Sequence, residues 1–217
     1  MKACLKPAAI AAFIVSVAGC ASTNPELNSL PPAPLKTGWQ RYETPRVSIG
    51  LPPGWVLFDL KRGGLPKLVE FLRPLNAKAA DGIAAPLKAA IETADEVLFA
   101  LNQTSPEASS LKFENMNLMI MKAGGSLDSL VQGAVSPLES ATGTKFARTK
   151  IVLPIGEAVE YRGSGTAPGT SEKFYIQGYV LANKGEGVTV SFGASKASPR
   201  LERDVRAALE SLRVKTP

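Results

Sequence analysis

Val47-Ser48-Ile49-Gly50-Leu51-Pro52-Pro53-Gly54-Trp55 decides the fold. Val47, Ile49 and Leu51 alternate with Ser48 and Gly50, the period-2 signature of a half-buried strand. Pro52-Pro53-Gly54 is a turn, and Trp55 to Leu60 reads as a second strand. Further along, Lys173–Ala182 and Val188–Ser195 flank Asn183-Lys184-Gly185-Glu186-Gly187, a clear hairpin. Phe174, Ile176 and Val180 share one face of it, and Val188, Val190 and Phe192 are expected in the same core. Residues 96–102 are apolar on both parities, which predicts a central strand covered on both faces. Residues 116–122 follow as its neighbour. Strands are also expected at 145–153 and 156–163, where a three-residue turn would set Lys150 opposite Glu160.

The helices announce themselves through caps and spacing. Ser198 with Pro199 starts a C-terminal helix, and Leu201, Val205, Ala208, Leu209 and Leu212 form its buried stripe. Leu127, Leu130, Val131 and Ala134 begin another. Ser136-Pro137-Leu138-Glu139 is a second start signal, which predicts two short pieces bent near Pro137. Residues 62–95 contain two amphipathic helices: Leu65, Leu68, Val69 and Leu72, then Ile83, Leu87, Ile91 and Ala94 with Asp81 as a cap. The expected class is α+β, an antiparallel β-sheet flanked by helices, with this helical insert between strands 2 and 3 of the reading.

The chain has 217 residues, 45% apolar and 20% charged, with no histidine. Those proportions suit one globular domain and exclude wholesale disorder. The missing histidine removes Ser-His-Asp and Cys-His chemistry and every His-ligated metal site. Lys2 and Lys6 precede a short apolar stretch, Ala8–Val17, too short to span a bilayer. It ends in Val17-Ala18-Gly19-Cys20, which resembles the lipobox of bacterial lipoproteins. The resemblance implies cleavage between Gly19 and Cys20 and acylation of Cys20. Cys4 leaves with residues 1–19, so Cys20 is the one cysteine expected in the mature chain, which leaves no disulfide and no thiol nucleophile. Several acyl chains on one residue, each contributing about 0.8 kcal/mol per buried CH₂, would hold the protein on a membrane. Ala21, where an Asp would mark inner-membrane retention, points by the same resemblance to the outer membrane. Pro25, Pro31, Pro32 and Pro34 make residues 20–44 a tether of roughly 25–30 Å, with Trp39 and Tyr42 docking on a domain that spans 45–217. The processed chain stays mildly basic, which favours anionic headgroups. It is no argument for nucleic acid.

The order of elements, the opening Val47–Trp55 and the closing Ala208-Leu209-Glu210-Ser211-Leu212-Arg213-Val214 resemble the PsbP/DcrB-like α/β sandwich. In that group a strand runs into "L-P-x-G-W" and the last helix ends in "S-L-x-V". The resemblance covers residues 45–214 and implies an antiparallel sheet with helices on its faces. The group includes photosystem accessory subunits, bacterial lipoproteins and chaperone-like binders. It shares no catalytic motif, so no functional residue is carried over.

Other clusters carry little chemistry. Met119 and Met121 share a strand parity that Met116 lacks, so they read as core filler rather than a copper site. Glu157 and Glu160 point to opposite faces, unlike the facing carboxylates of a glycosidase. The Gly-rich stretches at 163–165 and 185–187 lack phosphate-loop context. Tyr175 and Tyr179 share the face opposite Phe174. Under a helix they are core; uncovered, they form an aromatic stripe for a partner. Leu65 and Phe71 are the matching partner-binding candidates on the insert, amid Lys61, Arg62, Lys67, Arg73 and Lys78. The reading is a lipid-anchored, non-enzymatic envelope protein that contacts another envelope protein. A carrier or sensor of an apolar ligand is the alternative, and a hydrolase the least supported. No catalytic residue, metal or cofactor is expected.

Overall fold

The computed structural model of the chain describes residues 34–74, 77–104, 114–166, 173–183 and 185–215. Among them run β1 (Gln40–Glu43), β2 (Val47–Leu51), β3 (Trp55–Asp59), α1 (Gly64–Leu72) and α2 (Ala77–Thr93). Next come β4 (Glu96–Asn102), β5 (Asn115–Lys122), α3 (Leu127–Thr142), β6 (Ala147–Leu153) and β7 (Gly156–Thr166). The last elements are β8 (Lys173–Asn183), β9 (Glu186–Ala194), α4 (Pro199–Ser211) and β10 (Arg213–Val214). All strand pairs are antiparallel, so the fold is α+β as expected. A seven-stranded sheet, β3-β4-β5-β9-β8-β7-β6, forms the middle, and a separate three-stranded ladder, β1-β2-β10, packs against one of its faces.

The period-2 alternation of each strand separates two cores. On one face, Leu98 and Ala100 of β4 meet Val47, Ile49 and Leu51 of β2 and the α4 stripe of Leu201, Val205, Ala208 and Leu209. On the other, Val97, Phe99 and Leu101 meet Leu68, Leu72, Ile83 and Leu87 of α1 and α2. Farther along that second face, α3 covers Val159, Tyr161 and Val180 through Leu130, Ala134 and Leu138. All seven residues of β4 are buried, as expected for a strand covered on both faces. Burying each of Val47, Ile49 and Leu51 contributes about 1.5–3 kcal/mol. Gly54 has φ +85°, the left-handed geometry that the turn before Trp55 requires. Ser198 accepts a hydrogen bond from the Leu201 amide at 3.1 Å and Pro199 opens α4, as the cap signal predicted.

Five details of the sequence reading change. The folded region begins before Pro45, because Gln40–Glu43, placed in the tether, pairs with β2. This polar strand has no apolar alternation to announce it. It is held by the ladder and by the Tyr42 hydroxyl, which donates to the Trp55 carbonyl at 2.6 Å. The insert therefore lies between the third and fourth strands. Within it Asp81 is not a cap; it sits inside α2 and pairs with Arg73 at 2.9 Å.

Residues 127–142 form one helix that runs through Pro137. Ser126 caps it, and burial of Leu130, Val131, Val135 and Leu138 offsets the roughly 3 kcal/mol that an interior proline costs. The β6–β7 turn has two residues, Pro154 and Ile155, so Lys150 faces Val159 and Thr149 faces Glu160. Lys150 instead approaches Asp128 of α3 at 3.7 Å. The β8–β9 loop is also shorter, with Asn183 opposite Glu186. That register sets Val188, Val190 and Phe192 opposite Leu181, Tyr179 and Gln177, away from Phe174 and Ile176.

Candidate functional site

Tyr175, Gln177 and Tyr179 project from one side of β8 into the core beneath α4. Tyr179 is 1% exposed and Tyr175 5%, so they do not form an open aromatic stripe. What closes the question is α4, whose Leu201 and Val205 belong to the same core. The hydroxyls are satisfied inside. Tyr179 donates to Glu160 Oε1 at 2.9 Å, and Gln177 Nε2 donates to the same oxygen at 2.7 Å. Tyr175 donates to Gln177 Oε1 at 3.4 Å. Glu160 is thus half-buried in a network rather than simply solvated, while Glu157 stays exposed on the opposite face. Burial, reinforced by the Glu160 charge, drives the Tyr179 hydroxyl far above the ordinary phenol range. Burial also raises Tyr175. Both are neutral donors at physiological pH, which suits structure rather than proton transfer.

The insert turns its apolar side inward as well. Phe71 packs on Phe58 with ring centroids 5.8 Å apart, and Leu65 lies half-buried on the same cluster. Lys61 donates to the Ile91 carbonyl, joining the start of the insert to its end. Arg62 donates to both oxygens of buried Glu96, at 2.9 and 3.2 Å, and to Asp59 at 2.6 Å. Leu65 and Phe71 therefore serve packing in this structure. Met116 lies in one core and Met119 and Met121 in the other, so the three thioethers do not converge.

Two further carboxylates tie elements together. Glu114 pairs with Arg200 of α4 and accepts from Asn102 Nδ2 at 2.7 Å. Glu139, near the end of α3, accepts from the Phe146 amide at 3.0 Å, Lys145 at 3.2 Å and Arg148 at 3.1 Å. The Phe146 amide above all holds the Glu139 carboxyl below its ordinary value. A depressed acid stabilises the fold above its unfolded pKa, and the gain is lost as pH falls through the folded value. Glu139→Gln should therefore lower the denaturation midpoint at neutral pH, and the gap to wild type should close as pH drops below about 4. Urea midpoints measured across that range check this; a gap independent of pH would count against it.

Among the described strands the large sheet ends in β3 and β6, and of the two β6 is the more exposed. Strand β6 pairs with β7 and with no other described strand. Residues 147–150 are exposed, and Val152, the large apolar residue most open to solvent among those described, is 73% exposed. Arg148, Lys150 and Val152 share the side of the strand that faces α3, because Arg148 pairs in register with Tyr161. The sequence predicted this strand, but composition carried no signal that it ends the sheet.

No protein-family model matches the chain, and no curated protein matches it. Three similar solved structures cover 82–83% of it. A Bacteroides thetaiotaomicron protein is 9% identical with a TM-score of 0.46, and the chain spans half of that protein's length. Cyanobacterial PsbP (CyanoP) from Synechocystis is 12% identical with a TM-score of 0.49, over 94% of its length. LpqN of Mycobacterium tuberculosis, involved in cell envelope biogenesis, is 10% identical with a TM-score of 0.44, over 91% of its length. Likenesses of this size concern the backbone layout alone.

Proposed function

We propose that this protein is a lipid-anchored, non-enzymatic accessory protein of the bacterial cell envelope, which takes hold of a protein partner at the β6 edge. The observation that carries the reading is the open β6 strand with Val152 exposed on it. A sheet edge offers a row of backbone donors and acceptors to an extended segment, and outward side chains add selectivity. The surfaces first considered are taken: Tyr175 and Tyr179 are buried, and Leu65 and Phe71 pack on the sheet. Anchoring would use Cys20, freed by cleavage after Gly19; both lie outside the described residues. The outer membrane, facing the periplasm, is the proposed location on the strength of Ala21. No helix among the described residues is long and apolar enough to cross a membrane, so the acylated Cys20 would supply the attachment.

The test is site-specific photo-crosslinking in cells. A photoreactive residue at position 152 should give one dominant adduct, identified by mass spectrometry. The same residue at position 203, exposed on α4 over the opposite face of the sheet, should give at least tenfold less. Val152→Asp should weaken capture of that partner, and Cys20→Ser should release the protein from the membrane fraction. Equal adducts from both positions would sink the β6 reading. Unchanged fractionation of the Cys20 variant would sink the anchor.

A further inference from the structure

We propose that a polar trench on one face of the large sheet, between the helical insert and α3, binds a short neutral oligosaccharide. The trench is separate from the β6 edge and needs neither that edge nor the Cys20 anchor.

Its floor is written into two strands. In β5, Asn115 and Asn117 alternate with Met116 and Leu118; in β9, Thr189 and Ser191 alternate with Val188, Val190 and Phe192. The apolar set of each strand lies in the core beneath α4, so the polar set points to the other face. The register then gathers the polar residues. Asn117 stands opposite Ser191, flanked by the pairs Met119–Thr189 and Asn115–Gly193. Asn115, Asn117, Thr189 and Ser191 are all half-buried. These three rows cover about 13 Å along the strands, the length of a short oligosaccharide. Both strands lie inside the sheet, yet β4 beside them is buried along its whole length.

The helices leave this strip between them. α1 and α2 lie over β3 and β4, and α3 lies over β8 and β7. Their apolar residues form two distinct cores on the one face. From β4 to a point between β8 and β7 is three and a half strand spacings, about 17 Å. Helices in contact stand about 8–10 Å apart, so a gap of about 8 Å remains. Another helix, about 10 Å across, does not fit, but a sugar ring does. Ala123 and Leu130 close one end of the trench by packing over Gly187. Phe174 and Ile176, both half-buried, flank the other.

Chemistry selects the occupant. The floor carries two amides and two hydroxyls, groups that both donate and accept, and no charged side chain. Ser191 is bonded to the Tyr161 hydroxyl, whereas Asn117 and Thr189 have no hydrogen-bond partner among the described residues. Sugar hydroxyls also donate and accept, and the C–H faces of the ring suit Met119, Ile176 and Phe174. An anionic ligand would give up water and meet no counter-charge on the floor. An extended peptide finds its backbone bonds at a sheet edge rather than on a face.

The test is calorimetric titration of the full lipidated protein, held in a detergent without a sugar headgroup. The probes are maltotriose, triacetylchitotriose and trigalacturonate. At least one neutral trisaccharide should bind at millimolar concentration, and trigalacturonate at least tenfold more weakly. Asn117→Ala and Thr189→Val should each weaken that binding about fivefold while circular dichroism stays unchanged. Val152→Asp should leave it intact. An Asn117→Cys thiol should react with a maleimide in the free protein and be protected several-fold by the bound sugar. Failure of both neutral sugars to bind, or equal affinity in the Asn117 and Thr189 variants, would overturn the site. Tighter binding of trigalacturonate would overturn its neutral character. A position-117 thiol that is unreactive in the free protein would also overturn it, leaving the trench filled by the chain itself.

Discussion

Gly178→Ala should unfold this domain or destabilise it by about 3 kcal/mol or more. Gly178 of β8 stands opposite Tyr161 of β7, and the Tyr161 ring lies across it, bonded to Ser191 of β9. A methyl group at 178 would fall inside the van der Waals radii of the Tyr161 ring and hydroxyl. The ring has nowhere to go. It is 4% exposed, packs edge-on to Phe146 at 6.0 Å, and sits under α3. Overpacking a filled core costs about 1–3 kcal/mol, more when the obstruction cannot move. Gly178 has an ordinary backbone conformation, so the cost is steric. The proof is a double substitution. Tyr161→Leu alone destabilises, but adding Gly178→Ala to it should cost less than about 0.5 kcal/mol, because the clash is already gone. Equilibrium urea unfolding of the four proteins decides it. A single Gly178→Ala protein within about 1 kcal/mol of wild type would refute the argument.

Arg62→Met should cost about 3 kcal/mol for a different reason. The Glu96 side chain is fully buried at the start of β4, and Arg62, 41% exposed, reaches in to bind both of its oxygens. Removing the cation leaves a buried carboxylate without its counter-charge, a loss of about 3–5 kcal/mol in buried pairs. The solvent around the guanidinium places this pair at the low end. Replacing both partners, Arg62→Met with Glu96→Met, should recover most of the loss, because an apolar pair needs no counter-charge. Hydrogen exchange should show the damage concentrated in α1, α2 and the first residues of β4. A single variant as stable as the double would mean that water or another group already compensates Glu96.

Both effects arise from pairs far apart in sequence, and that separation marks what could be read in advance. Val47–Leu51, the 96–102 strand and the α4 stripe were legible because burial imposes a period on the residues themselves. The Ser198 cap was legible because a cap bonds an amide three residues away. The parity of Met116 against Met119 and Met121, and of Glu157 against Glu160, follows from the pleat alone. For the candidate site, the side to which Tyr175 and Tyr179 point was legible, but not what covers it. Cys20 rests on a local motif outside the described residues.

Sequence by itself determined most of the strands and the helix faces, set by interactions within a few residues. Tertiary structure alone decided that α4 buries the tyrosines, that α3 continues through Pro137, that Gln40–Glu43 becomes a strand, and that β6 is the last of the described strands in the sheet. Each of these depends on which distant segment covers or pairs with a residue. Loop length, register and packing fix that together, and no short window of sequence contains them.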